Sequence, residues 1–212
     1  MTDEQKINFL KNCFLFKQLP QEELTLLASQ LREKVLSQNI VFIEEGLDGD
    51  EMYIIVEGLV KIFRFTDDGK EMTIAVKGDG DTVGELSLLD DDLRAANVQT
   101  LKLTKVLILR REAILVILSQ YPTIAMNMLK NLAKIVRESN NYVEGLVSQS
   151  LLQRTERILQ IISGHFLNKS ITMSHEDLAL LIGGTRPRIT EALHELKRQG
   201  KISLTYKSIR FV

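Results

Sequence analysis

The sequence is poor in the residues that build metal centres and disulfide scaffolds, with one cysteine and three histidines. The single thiol, Cys13, has no partner for an internal disulfide and cannot supply the several thiolates of an iron–sulfur cluster or a zinc site. The histidines, His165, His175 and His194, lie in the last quarter of the chain, which disfavours a histidine-ligated haem nearer the N-terminus. We therefore expect no metal, haem or iron–sulfur cluster, and we expect Cys13 to be a small buried hydrophobe.

Long apolar runs are also missing, since no stretch approaches the roughly 20 residues that span a bilayer. The N-terminal segment MTDEQKINFLKN has neither the basic start nor the apolar stretch of a signal peptide. With 44% hydrophobic and 26% charged residues and only three prolines, the composition is that of a globular protein. We expect a cytoplasmic protein without membrane contact, whose 212 residues form one large or two modest domains.

The net charge of −1 does not by itself suggest nucleic acid, but the distribution of the charge does. Residues 151–212 hold ten Lys and Arg against five Asp and Glu, a balance of +5. The remaining 150 residues hold 17 basic and 23 acidic residues, a balance of −6. An acidic body with a basic C-terminal quarter is typical of a regulator with a DNA-binding end.

The hydrophobic pattern divides the chain into successive regions. Residues 1–31 have the spacing of short helices, and residues 35–109 alternate short β-rich runs with glycines, which is typical of a sandwich, barrel or jelly-roll-like sheet. After Arg110 the periodicity becomes helical and stays so for about forty residues, and a hinge is predicted at residues 148–153. The pattern predicts an α+β fold with an N-terminal domain at 1–120, a long helix and hinge at 121–149, and a C-terminal domain at 150–212.

The long helical region carries two overlapping apolar stripes. A helix with two such stripes can cover its own β domain and also meet a copy of itself in a coiled coil. Alternatively, both stripes pack on the protein's own core. We favour a dimer helix. The first stripe is Ala125, Met128, Leu132, Ile135, Ser139, Tyr142 and Leu146, and the second is Leu129, Leu132, Val136, Ser139, Val143 and Leu146.

The segment from Ser174 to Leu193 has the pattern of a helix-turn-helix. Ser174, with Asp177 three residues later, predicts a capped first helix. Gly183 allows the tight turn, and Thr185 is expected to cap the second helix. The alternative is a solvated charged helix in a generic helical domain.

In a helix-turn-helix, the N-terminal residues of the second helix contact bases, and helix N-termini hold phosphates. Arg186 can reach a guanine edge, and Arg188 a second base or a phosphate. Glu191 either accepts from a cytosine amino group or pairs with Arg188. The predicted DNA-binding residues are Ser174, His175, Thr185, Arg186, Arg188, Thr190 and Glu191.

The β-rich region contains the run VGELSL followed, five residues later, by RAANVQT. Gly84 permits close backbone approach, and Leu86 and Ser87 can present amide groups at the start of a short helix. Glu85 can accept from a sugar hydroxyl, and Arg94 can clamp an anionic phosphate. The pattern predicts a phosphate cradle. The alternative is a structural Glu85–Arg94 ion pair.

This run resembles the phosphate-binding cassette of cyclic-nucleotide-binding domains, and FIEEGLDGDEMYIIVEG resembles the glycine-punctuated strand pair upstream, with Leu47 where a polar residue is usual. Essentially the whole chain resembles the cAMP receptor protein/FNR superfamily. The resemblance implies an N-terminal β-roll, a dimerisation helix and a C-terminal winged helix-turn-helix. It also implies that Glu85 meets the ribose 2′-hydroxyl and Arg94 the cyclic phosphate of cAMP or cGMP.

The chain departs from this family at informative positions. Ala95 stands where cAMP-responsive members have Ser or Thr, which removes one hydroxyl donor to the phosphate. The base contact falls at Ser139 and Asn140 when counted from the start of the long helix, which we prefer, and near Tyr142 when counted from its end. The predicted ligand-binding residues are Gly84, Glu85, Leu86, Ser87, Arg94, Ala95, Ser139 and Asn140.

The leading hypothesis is a homodimeric, ligand-responsive regulator that binds a palindromic double-stranded operator and contacts RNA polymerase. We expect no catalytic residues and no enzyme activity, because neither a Ser/His/Asp arrangement nor a metal cluster is visible. Two alternatives stay open. One is a constitutive DNA-binding regulator whose β-roll binds no nucleotide, and the other is a regulatory cyclic-nucleotide-binding module of an enzyme complex.

Overall fold

The computed structural model of the chain describes residues 1–166, 169–205 and 208–211, except for the side chain of Leu146. These residues form two compact units: Met1–Val60 with Lys77–Glu138, and Lys61–Val76 with Ser139–Val212. The predicted domain boundaries at residues 120 and 149 stay a prediction. The Leu146 side chain, which the apolar stripes include, lies outside the described residues.

Two short helices begin the first unit. Helix α1 spans Asp3–Asn12, and its N-terminus is closed by a reciprocal pair of hydrogen bonds between Thr2 and Gln5. Helix α2 spans Gln21–Gln30. Cys13 lies between them and is buried, as predicted, and this burial raises the pKa of its thiol.

Eight strands and a one-turn helix follow, as the glycine-punctuated β-rich runs predict. The elements are β1 (Arg32–Leu36), β2 (Val41–Ile43), β3 (Glu51–Glu57), β4 (Leu59–Phe65), β5 (Glu71–Gly78), β6 (Thr82–Val83), α3 (Leu86–Asp90), β7 (Asn97–Thr100) and β8 (Thr104–Arg110). One sheet has the strand order β1-β8-β3-β6 and the other has the order β2-β7-β4-β5. In the first sheet β8 is antiparallel to both β1 and β3, with Tyr53 opposite Ile108.

The core of the first unit is formed by one face of the first sheet and the N-terminal helices. Met52 and Ile54 alternate along β3, Leu107 and Leu109 alternate along β8, and all four are fully buried together with Phe16. Alternate residues of a strand face the same side, so these four side chains share one surface. Burial of each contributes about 1.5–3 kcal/mol.

The helical region after β8 is divided into two helices. Helix α4 spans Arg111–Gln120 and helix α5 spans Pro122–Ser148. The helical periodicity that begins after Arg110 is interrupted at Tyr121, because the residue before a proline is pushed out of the helical conformation. Met128 of α5 is buried in the core. The exposed members of the second stripe are Leu129, Val136 and Val143, at 57%, 59% and 60%.

The second unit contains the predicted helix-turn-helix and its wing. Helix α6 begins after Ser150, inside the predicted hinge, because the Ser150 hydroxyl accepts from the Gln153 amide. The three short strands form a sheet of order β10-β11-β9, and Lys207, predicted for the final strand pair, lies outside the described residues. The elements are α6 (Leu151–Ser163), β9 (Ser170–Ile171), α7 (His175–Ile182), α8 (Arg186–Arg198), β10 (Ile202–Leu204) and β11 (Ile209–Phe211).

The order of sheets, long helix and winged helix-turn-helix confirms the predicted α+β fold. Within the described ranges, no single helix is long and apolar enough to cross a membrane. Helices α4 and α5 meet that criterion only as a pair, and the pair is bent by 115°.

Candidate functional site

The predicted phosphate cradle forms where β6 passes into α3. Gly84 follows the strand with a positive φ of 83°, and Glu85 occupies the position before the first helical residue. The Glu85 side chain is 5% exposed, and its Oε2 has no hydrogen-bond partner. Burial raises the pKa of this carboxyl, while the charge of Lys77 and a hydrogen bond from Thr82 act in the opposite direction. The structure therefore holds a buried acceptor with one oxygen unsatisfied.

Arg94, the other predicted anchor, is buried beside α3 and bonded to neutral acceptors. Its Nη1 donates to the Gly84 carbonyl at 2.7 Å and to the Ser87 hydroxyl at 2.9 Å, and its Nη2 donates to the Glu51 carbonyl at 2.6 Å. Burial lowers the pKa of the guanidinium. The alternative of a Glu85–Arg94 ion pair is wrong for the described residues, since the two side chains form no such contact.

Part of the Arg94 guanidinium is still able to bind an anion. A guanidinium has five N–H groups, and the three hydrogen bonds use both on Nη1 and one on Nη2. Among the described residues, the Nε–H and the second Nη2–H donate to no protein acceptor. Guanidinium N–H groups without a protein acceptor can donate to a carboxylate or phosphate oxygen.

Close packing explains two glycines of the sequence signature. A β-carbon at Gly49 would lie 2.0 Å from the Arg94 Nε, and one at Gly84 would lie 2.7 Å from its Nη1. The unusual Leu47 contributes its carbonyl, which accepts from the Arg94 amide at 2.8 Å. Because this contact uses the main chain, it does not depend on the side chain at position 47.

Four other predicted ligand residues lie on α3, beside Arg94 and on α5. Leu86 is at the start of α3, and Ala95 is exposed beside Arg94. Ser139 and Asn140 are exposed on α5 and belong to the second unit. The ligand roles of all four stay predictions.

Sequence reasoning missed an ion pair between β5 and α5. The buried Lys77 donates to a carboxylate oxygen of Glu138 at 2.8 Å. Burial alone would raise the pKa of Glu138, but the hydrogen bond and charge of Lys77 outweigh it and lower that pKa. The pairing joins residues 61 positions apart, and no local pattern announces it.

The predicted DNA-binding motif has the expected caps at its first helix. The Ser174 hydroxyl accepts from the Asp177 amide at 3.0 Å, and the Asp177 carboxylate accepts from the Ser174 amide at 3.3 Å. Helix α7 ends at Gly183, which has a left-handed φ of 74°. Both helices then pack through buried side chains, namely Leu178, Ala179, Ile182, Ile189, Leu193 and Leu196.

The second helix begins at the predicted place but without the predicted cap. Thr185 occupies the N-cap position, yet its side chain makes no capping hydrogen bond, so that prediction is wrong. Pro187 in the first turn has no amide to satisfy, which leaves one donor fewer at this helix end. Arg186, Arg188 and Glu191 are all exposed on α8. Their roles in DNA binding stay predictions.

A groove of 560 Å³ lies between the start of both helices and the wing. Three predicted DNA-binding residues line it: Ser174, His175 and Arg186. Its other wall carries hydroxyl groups that sequence reasoning missed, from Thr172, Thr205 and Ser208. A groove lined by hydroxyls, an arginine and helix N-termini is suited to a phosphate backbone.

Metal ligands do not accompany either site. In the described ranges, no group of three or more His, Cys, Asp or Glu side chains is arranged to hold a metal ion.

Comparison with known proteins covers most of the chain. Residues 33–121 match the model of the cyclic nucleotide-binding domain, and residues 147–212 match the Crp-like helix-turn-helix domain. The chain is 30% identical over 195 residues to the "Cyclic AMP receptor protein" of Thermus thermophilus, covering 92% of this chain and 90% of the relative. It is 29% identical over 203 residues to the "CRP-like cAMP-activated global transcriptional regulator" of Mycobacterium tuberculosis, with the same coverage of 92% and 90%.

A solved structure is similar over nearly the same length. The crystal structure of the Thermus thermophilus catabolite activator protein superposes with a TM-score of 0.56 at 29% identity, covering 94% of this chain and 93% of that protein.

Replacing Glu85 by glutamine is expected to raise the free energy of unfolding near neutral pH by about 1 kcal/mol, because it removes a buried charge with an unpaired oxygen. Since burial raises the folded-state pKa above the ordinary value of 4.5, the ionised carboxyl destabilises the fold above the folded-state pKa and not below 4.5. The gain should therefore shrink as the pH falls towards 4.5.

Urea denaturation at several pH values measures this effect. The matched control is Glu44→Gln, which neutralises an exposed carboxylate and should change stability by less than about 0.5 kcal/mol. A Glu85→Gln variant less stable than the wild type near neutral pH would contradict the assignment of Glu85 as a strained acceptor.

Proposed function

This chain belongs to the CRP/FNR family of transcription regulators, and we propose that it is a homodimer whose DNA binding responds to a cyclic nucleotide held in the cradle. The family assignment makes it a DNA-binding transcription regulator with a cyclic nucleotide-binding domain and a Crp-like helix-turn-helix, and not an enzyme. The observation that carries the proposal is the buried Glu85 carboxylate, whose Oε2 has no partner.

A cyclic nucleotide supplies what each side of the cradle requires. A ribose hydroxyl donates a hydrogen bond, which Glu85 Oε2 can accept because this oxygen has no partner in the protein. A cyclic phosphate carries one negative charge, which matches the two unused N–H groups of Arg94 and the amides of Leu86 and Ser87 at the start of α3. The names of the two bacterial relatives support cAMP, and cGMP would present the same ribose and phosphate.

The end of the ligand that differs between cAMP and cGMP is the base. In this proposal Ser139 and Asn140 of α5 bond to the base edge, since their hydroxyl and amide groups both donate and accept. Tyr142, one turn further along the helix, is the other candidate. The position of the contact decides which base is preferred.

DNA is bound by the second unit in this proposal. Arg186 reads a guanine edge, Arg188 binds a second base or a phosphate, and Glu191 accepts from a cytosine amino group. The groove residues Ser174 and His175 contact the phosphate backbone. A dimer would set two such motifs on a palindromic operator in the cytoplasm, where it would contact RNA polymerase.

The exposed apolar stripe of α5 supports the dimer. Leu129, Val136 and Val143 recur every seven residues and are each more than half exposed. A seven-residue apolar repeat is the pattern by which two helices pair in a coiled coil.

One observation favours a second function, that of a constitutive regulator. Ala95 offers no hydroxyl to a phosphate, and three of the five Arg94 donors are already satisfied by the protein. A cradle whose arginine is held by the protein in this way can fold without a ligand. Titration with nucleotides separates the two functions.

Calorimetric titration of the purified protein with cAMP and with cGMP should give heat with at least one of them. Arg94→Lys keeps the charge but cannot form two parallel hydrogen bonds to a phosphate, so we expect the affinity for the nucleotide to fall by about tenfold or more. Ala95→Ser restores a donor at an exposed position and should tighten binding severalfold. Melting curves without nucleotide show whether each variant is folded. The absence of heat with both nucleotides in the wild type would favour the constitutive regulator.

Replacing Arg186 by alanine should remove most of the preference for an operator selected by the protein from random duplexes. One bidentate contact to guanine is worth about 1–3 kcal/mol of discrimination. The control is Arg198→Ala, which removes the same charge from the far end of α8, where Arg198 pairs with Glu195. Fluorescence anisotropy measures the affinity for the selected and random duplexes. An unchanged ratio in Arg186→Ala would overturn the role of Arg186 in reading sequence.

Val136→Glu should convert the dimer into a monomer, because it places a charge in the middle of the apolar stripe. Light scattering after gel filtration measures the mass. Asn141→Glu introduces the same side chain on another face of α5 and should leave a dimer. A wild-type protein that is monomeric at micromolar concentration, or a Val136→Glu variant that stays dimeric, would contradict the coiled-coil interface.

A further inference from the structure

His175 lines the groove beside the wing. It is the first residue of α7, and its Nδ1 lies 2.9 Å from the Thr190 hydroxyl of α8. The same hydroxyl donates to the Arg186 carbonyl at 2.9 Å. His175 is thus fixed by the helix that carries the predicted base contacts, while its ring lines the groove.

These two hydrogen bonds determine which ring nitrogen carries the proton. A threonine hydroxyl has one hydrogen, and Thr190 gives it to the Arg186 carbonyl. In this arrangement the Thr190 oxygen accepts from His175, which corresponds to the tautomer with its proton on Nδ1. In neutral His175 the Nε2 consequently presents a lone pair, which repels a phosphate oxygen. While the Nδ1–H bond to Thr190 is kept, only the imidazolium, with a second N–H on Nε2, can donate to a phosphate.

The charges around His175 favour the neutral ring in the free protein. Burial lowers the pKa of His175, and the positive charges of Arg186 and His194 on α8 lower it further. Glu176 lines the same groove from the next position of α7. From the wing, the described groove residues Thr205 and Ser208 are uncharged, and Lys207 lies outside the described residues.

We propose that His175 takes up a proton when the groove receives a DNA phosphate, so that DNA affinity rises as the pH falls. The inference rests on the proposed DNA binding and adds a titrating contact to it. A phosphate in the groove stabilises the imidazolium and thereby raises the pKa of His175 in the complex above its value in the free protein. Affinity therefore increases as the pH falls through the pKa of the complex, and it levels off below the pKa of the free protein, which lies under 6.5.

The test is the affinity for a random-sequence duplex between about pH 8 and about pH 5.5, measured by fluorescence anisotropy at several salt concentrations. A random duplex suffices because phosphate contacts do not depend on sequence. For the wild type we expect about tenfold tighter binding at the lower pH, which corresponds to one unit of pKa change in the complex. We also expect the slope of log affinity against log salt to steepen by about 0.9, the value for one additional phosphate contact.

Two substitutions isolate His175. His175→Arg has a permanent charge, so it should bind at about pH 8 as tightly as the wild type binds at about pH 5.5, with little further change. His175→Gln is neutral throughout and should lose the gain at low pH and the steeper salt slope. His165→Gln changes a histidine that does not line the groove and should keep both. Circular dichroism at each pH confirms that the variants are folded.

The outcomes distinguish this inference from the proposed function. If the wild type binds no DNA at any pH, the proposed function fails. If it binds DNA with the same affinity and salt slope across the range, or if His175→Gln keeps the full dependence on pH, the proton uptake at His175 is wrong while DNA binding stands.

Discussion

The hydrogen bonds of Arg94 join its own segment to the start of β3 and to the turn into α3. Its guanidinium reaches the Glu51 carbonyl at the start of β3 and the Gly84 carbonyl and Ser87 hydroxyl around α3. Each charge-assisted bond contributes about 1.5–3 kcal/mol. The geometry of the cradle depends on this buried cation, because it keeps α3 against the sheet while the Oε2 of Glu85 has no hydrogen-bond partner.

In the proposed function, different N–H groups of Arg94 stabilise the fold and bind the ligand. Three Arg94 donors stabilise the fold, and the remaining two face no protein acceptor among the described residues. Glu85 contributes in the opposite sense, since burial raises the pKa of its carboxyl and its Oε2 is unsatisfied. The Arg94 guanidinium is stabilised by the protein, whereas the Glu85 carboxyl is buried with an unsatisfied oxygen. In the proposed function, a ligand that carries both a phosphate and a hydroxyl would therefore stabilise the folded protein most.

Local patterns in the sequence predicted the elements well where neighbouring residues determine them. The Ser174–Asp177 cap of α7 and the buried positions of α8 depend on residues three or four apart, and the structure contains them. The Thr185 cap was wrong, since a hydroxyl at the N-cap position need not point to the helix end. The helical periodicity after Arg110 did not by itself reveal the break at Tyr121 between α4 and α5, because apolar spacing continues across it.

Local sequence patterns did not predict the contacts between residues that are distant in the sequence. Nothing in the run around Arg94 indicates that its partners are main-chain carbonyls of residues 51 and 84, because every residue has such an acceptor. The Lys77–Glu138 pair and the hydroxyls of Thr205 and Ser208 in the groove depend on tertiary structure in the same way. The resemblance to a family identified Glu85 and Arg94 as anchors, but only the structure revealed how their hydrogen-bonding capacity is divided.

In the proposed function, a nucleotide bound in the cradle is coupled to DNA binding at the helix-turn-helix. Such coupling is reciprocal, so the factor by which the nucleotide changes DNA affinity must equal the factor by which DNA changes nucleotide affinity. The most direct test measures the affinity for the selected operator with and without saturating cAMP or cGMP. We expect a change of about fivefold or more with one of them, within the usual range of allosteric coupling. Equal operator affinity with and without both nucleotides would contradict it.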